Sequence, residues 1–131
     1  MAAVSYKFRA ATNDDMEWFH KQTHYLPSAN FVGIAAYSDA GIAGMVGLDH
    51  WTYSSVWVHF AFRHPRAIAP LWAELLNYLS RHGIKILIGV TPGDHVRANR
   101  VIKKLGWREM FQQKDGWKEG VPLVFSEYRI A

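Results

Sequence analysis

Seven histidines and no cysteine set the chemistry open to this 131-residue chain. Without a thiol there is no cysteine nucleophile, no Cys-ligated zinc or iron–sulfur site and no disulfide framework. His59 stands out because it interrupts the apolar run Val56-Trp57-Val58-His59-Phe60-Ala61-Phe62. Imidazole titrates nearest neutral pH, so His59 could take a proton or touch a substrate. The alternative is a buried, hydrogen-bonded structural histidine. Asp49 and His50 close the preceding apolar run and offer a second polar pair; the competing reading is a plain strand end. His20 and His24 stand i, i+4, but Lys21 occupies the place where a zinc-protease helix needs Glu, and no third ligand is evident. Arg97, Arg100, Lys103 and Lys104 form a basic helix face. Such a face is ordinarily solvated, and otherwise it attracts phosphates or nucleic acid.

The elements that must hold these residues follow from periodicity. Ser5–Ala10 alternates as a strand. Thr12 and Asp15 form a capping box for a helix carrying Met16 and Phe19, ended by Pro27-Ser28. Phe31–Tyr37 and Ile42–Leu48 read as a hairpin around Asp39-Ala40-Gly41. Val56–Phe62 is apolar on both faces and so belongs at the centre of a sheet. Ile68, Leu71, Trp72, Leu75, Leu76 and Leu79 recur at helical spacing, with Gly83 as C-terminal cap. Ile84–Val90 is a short buried strand, and Asp94 is placed to cap a second amphipathic helix through Leu105. Trp107–Gln113 and Val121–Ile130 are strands joined at an Asp115-Gly116 turn. The segment 56–90 is a β-α-β crossover, so its two strands run parallel.

Hydrophobic residues at 50% and charged residues at 20% exclude disorder as the main state. The length suits one domain, 1–131, at about 150 residues per domain. No apolar run reaches the roughly 18 residues of a membrane span. Met1–Phe8 lacks a signal-peptide layout, and a cytoplasmic location is expected. A net charge of +4 is mild but leaves room for an anionic ligand.

The order of elements, together with Asp94–Trp107, "DHVRANRVIKKLGW", resembles the GNAT acetyltransferase superfamily. His95, Ala98, Lys104, Gly106 and Trp107 stand at that family's Asn, Ala, Lys, Gly and aromatic positions. Asp49–His59, "DHWTYSSVWVH", is similar to compact stand-alone GNAT proteins of bacteriophage genomes. The resemblance implies an α/β fold with a mixed, largely antiparallel twisted sheet and a central parallel crossover. It implies acetyl-CoA as substrate and direct attack of an amine on the thioester. His64-Pro65-Arg66-Ala67-Ile68-Ala69 matches the family's phosphate loop in spacing, without its glycines. Pro65 and Pro70 each lack a donor there.

By that resemblance Phe62, Arg63, His64, Arg66, Ala67, Ile68, Ala69, His95 and Arg100 would hold the cofactor. His95 would either bond the pantetheine or order its loop. His59 and Asp49 would serve catalysis. Trp18 and Tyr25, from the first helix and the loop after it, would meet the acceptor, with His50 and Trp51. Ile102 stands where the family often has a Tyr acid, and it cannot donate a proton. Only one helix is visible where the family usually has two, so the acceptor side is either open or completed by a second chain. The aromatics near Trp107 and Trp117 permit a homodimer. A GNAT-fold binding protein without catalysis is the second reading. A nucleic-acid target is the third and less favoured one, because no nucleic-acid-binding signature appears.

Overall fold

The computed structural model describes residues 5–130. Seven strands form one sheet in the order β1-β2-β3-β4-β5-β7-β6. They are β1 (Lys7–Ala10), β2 (Val32–Ser38), β3 (Gly41–Asp49), β4 (Ser55–Phe62), β5 (Ile86–Pro92), β6 (Arg108–Lys118) and β7 (Val121–Arg129). The helices are α1 (Asn13–Thr23), α2 (Ile68–Arg81) and α3 (Val96–Lys104). The β4–β5 pair is parallel and every other pair antiparallel. The expected crossover is therefore present, and β4 is the central strand. None of the helices is long and apolar enough to cross a membrane.

Residue alternation divides the core between two faces. Val46, Leu48, Val56 and Val58 pack with Leu71, Leu75 and Leu79 of α2, and Trp107 joins them. Ala35, Met45 and Ala61 point the other way and meet Phe19 of α1. The Thr12–Asp15 capping box forms as expected, and Arg9 clamps the Asp15 carboxylate with two hydrogen bonds at 2.8 and 3.0 Å.

Several boundaries differ from the sequence reading. The first strand starts at Lys7 and the fifth at Ile86; Ile84 is buried before its strand begins. α3 is capped by His95 rather than Asp94, because His95 Nδ1 accepts the Ala98 N–H at 3.3 Å. No residue of α3 is buried, although Ile102 touches the α2-side core. Asp115-Gly116 is not the hairpin turn. It lies inside β6, where the register slips between Gln113 and Lys118, and the chain reverses at Glu119-Gly120. The Asp115 carboxylate there accepts the Gly120 N–H at 2.7 Å. Trp107 is buried, not exposed, because Gly89 leaves room for its ring between Trp72, Phe60 and Tyr128. That removes it from any dimer surface, while Trp117 stays exposed.

Candidate functional site

The sheet opens where β4 and β5 part. Their parallel pairing runs from Ser55 with Ile86 to Val58 with Gly89 and stops. Beyond it, β4 keeps only β3, and β5 keeps only β7. The Arg63 N–H donates to Ala43 O at 2.8 Å, which fixes the alternation along β4. Residues 59, 61 and 63 direct their backbone groups at β3, so those of Phe60 and Phe62 face the opening. His59 is the first residue past the split.

Four side chains meet beside it on the α1 face. Asp49 ends β3 and is fully buried. It accepts the Tyr25 hydroxyl at 2.7 Å, the Ser28 N–H at 2.8 Å and the His50 N–H at 3.0 Å, and the Ser28 hydroxyl as well. Burial pushes its carboxyl up, but these donors outweigh it and hold the group well below the usual carboxylate range. Burial and the bond to Asp49 both push the Tyr25 phenol up, so it stays protonated. His50 adopts a left-handed φ of 53° that swings its ring back, with Nε2 3.2 Å from the Tyr25 hydroxyl.

Tyr25 lies stacked on His59, ring centroids 3.8 Å apart. Burial lowers the His59 pKa to about 4, against the pull of Asp49. Its Nε2 is buried without a hydrogen-bond partner. A buried imidazole nitrogen without a partner is costly unless something supplies one. Gly47, opposite His59 in the ladder, is needed for this arrangement: a Cβ there would come within 2.4 Å of the Phe31 ring, which packs against Tyr25.

Other residues singled out from the sequence lie elsewhere. Trp51 donates to Asn30 O at 3.1 Å and packs on the α2-side core, away from His59. Trp18 sits on α1 with the Arg63 guanidinium 5.5 Å above its ring. Arg63 therefore points to the α1 face and not toward the start of α2. Phe62 stacks on Phe60 in the other core. His64–Ala69 occupies the junction between β4 and α2, with a 3₁₀ turn over Pro65–Ala67. Backbone donors are scarce there: the His64 N–H goes to Ala43, that of Ala67 to His64 and that of Ile68 to Pro65. His64 and Arg66 are exposed and line a depression of about 320 Å³ with Tyr6 and Ser38. Arg100 is exposed on α3. His95 is spent on its cap, and Asn99 fastens the same loop by bonds to Thr91, Pro92 and His95.

A larger depression, about 430 Å³, lies between α1 and the start of β2. Its lining of Ala10, Ala11, Met16, Pro27, Ser28, Phe31, Val32 and Gly33 has no titratable side chain. The His59 cluster is where titratable side chains meet beside the opening of the sheet. Ser28 is the member the sequence reading misses, because Pro27-Ser28 carries only the signature of a helix end. His20, a metal candidate by spacing, contacts the Tyr25 carbonyl through Nδ1 at 3.0 Å.

No protein-family model matches the chain, and no curated protein matches it. Solved structures do. The chain is similar over 97% of its length to all of a protein from Desulfovibrio desulfuricans described as an acetyltransferase of the GNAT family, at 14% identity and TM-score 0.79. The ribosomal-protein-S18-alanine N-acetyltransferase of Escherichia coli matches at 10% identity and TM-score 0.77, over 97% of this chain and 95% of that one. The spermidine/spermine N-acetyltransferase SpeG of Vibrio cholerae matches at 10% and 0.77, over 95% and 92%. At such identities the likeness is one of architecture: the chain has the GNAT fold.

Proposed function

We propose that the protein is an acetyl-CoA-dependent N-acetyltransferase of the cytoplasm that works by direct attack. The observation that carries this reading is the split between β4 and β5, with His59 at its apex. An extended thioester substrate can lie in such a gap and use the backbone groups of Phe60 and Phe62. An N–H there stabilises the oxyanion that forms as the carbonyl carbon turns tetrahedral. Arg66 supplies positive charge and His64 a ring N–H for the phosphates, in place of the free backbone donors that are scarce at 64–69.

The amine lone pair forms the C–N bond, and the C–S bond then breaks. The proton lost from nitrogen passes to the His59 imidazole or to water. The CoA thiolate leaves without a side-chain acid, since Ile102 offers none. A thiol of ordinary pKa near 8.5 tolerates that departure near neutral pH.

A second reading is a GNAT-fold binding protein without catalysis. The occupied amides of His64, Ala67 and Ile68 favour it. Calorimetric titration with acetyl-CoA, then thiol release with an amine panel, tests the two. Micromolar binding and acceptor-dependent thiol release support the enzyme. No binding of acetyl-CoA or CoA overturns it.

A further inference from the structure

α1 packs on β3 and β4 and leaves the same face of β5, β7 and β6 without a helix. A line of rings runs across that bare face into the site. Phe111 stacks on Phe125 at 4.5 Å, and Phe125 meets Trp57 edge-on at 6.3 Å. Trp57 meets His50 edge-on at 5.2 Å, and His50 leads through Tyr25 to His59. Ile88 pairs with Trp57 and Val90 with Phe125, so both lie in the same strip, and all four are only partly buried.

We propose that the acceptor is a primary arylamine, its ring lying on Trp57, Val90 and Phe125 and its nitrogen at His59. This rests on the acetyl-transfer reading above.

Charge supports that choice. Asp49 spends both carboxylate oxygens on Tyr25, Ser28 and His50. Glu127, on the same face of β7, is held by Arg108 and Arg129. Among the described residues the strip thus offers no unpaired carboxylate to a second ammonium, and a polyamine would shed water there without compensation. A flat ring gains both apolar burial and edge or face contacts with Trp57 and Phe125.

Proton chemistry agrees. An alkylamine is protonated up to a pKa near 10.4 and needs a competent base before it can attack. His59, neutral but weakly basic, is poorly matched to that ammonium. An arylamine delocalises its lone pair into the ring and is already free base at neutral pH. Its nitrogen becomes strongly acidic only after the C–N bond forms, and a weak base then suffices. The balance is an arylamine plus acetyl-CoA giving the N-acetyl arylamine plus CoA thiol.

The test uses 4-methylaniline, hexylamine and spermidine with acetyl-CoA at pH 7. Expected is a kcat/KM for 4-methylaniline at least about tenfold above the other two. Trp57→Ala should raise its KM about tenfold and move the acetyl-CoA Kd less than about twofold. Phe125→Leu, milder for folding, should raise KM in the same direction. The Trp57 indole N–H resonance of the wild-type protein should shift on titration with 4-methylaniline alone.

A preference for spermidine or hexylamine overturns the proposal. So does a KM untouched by both substitutions. So does a stable dimer in sedimentation that Phe111→Glu dissociates, since a second copy would then cover the strip. If acetyl-CoA fails to bind, the acetyl-transfer reading falls, and the Trp57 shift alone decides whether the strip takes arylamines.

Discussion

Tyr25 caps His59, face to face at 3.8 Å, while its hydroxyl is fastened to Asp49. One side chain thus dries the imidazole on one side and spends its own polar end on a buried carboxylate. His59 is thereby neutral in the fold through the physiological range, with a pKa near 4 against 6.5 for the free side chain. Between those two values the unfolded chain binds a proton that the folded chain does not. Stability therefore rises with pH across that window and is lost as pH falls, by up to about 3 kcal/mol at pH 4. Above pH 6.5 the group contributes no slope. Urea midpoints from pH 4 to 8 check this, with His59→Gln expected to flatten the curve between 4 and 6.5. The His59 ring protons should show no titration above about pH 5.5 in NMR spectra.

Asp49 is a buried charge that stands only because four donors face it. Asp49→Asn leaves those groups without their charged acceptor and should cost about 3 kcal/mol, read as a lowered urea midpoint at unchanged slope. A carboxylate with the same pKa in both states would give no pH dependence, whereas Asp49 does. The folded pKa is depressed below about 3.9, so the stabilisation is complete above that value and fades as pH falls below it. The variant should lose part of the wild-type acid transition below pH 4.

Tyr25→Phe separates the two jobs of that residue. The ring still stacks on His59, but Asp49 loses one donor. The expected cost is about 2 kcal/mol, as for a hydrogen bond to a charged group. The His59 pKa should move little, because burial by the ring remains. An NMR titration of both proteins reads this directly.

Much of this arrangement is legible in the sequence, and the reasons for the rest are physical. Periodicity finds β4 and α2 because each is long and strongly patterned. The Thr12–Asp15 box is local and also reads directly. His59 is visible as a polar residue in an apolar strand. Asp49, His50 and Tyr25 are also visible as candidates, but their mutual contacts and the part of Ser28, which bonds Asp49, are not, because these form only through tertiary packing. Trp57 reads as core from its apolar neighbours, yet no helix covers its face. Trp107 reads as an aromatic that permits a dimer surface, yet Gly89, far along the chain, makes its pocket. Asp115-Gly116 has the composition of a turn, and Gly120, at φ 81°, competes for the same reversal.

α3 gives the last expectation. Its nine residues bury no side chain, and its first turn is held by His95 and Asn99 rather than by core packing. Few buried apolar contacts mean a low free energy of local opening. Amide hydrogens of 100–104 should therefore exchange far faster than those of Leu75–Leu79 in α2, whose apolar side lies in the core. His95→Ala removes the N-cap acceptor and should cost about 1 kcal/mol. That loss should speed exchange in α3 and leave α2 unchanged. Equal protection of the two helices, or a uniform change after the substitution, would show that α3 opens only with the whole fold.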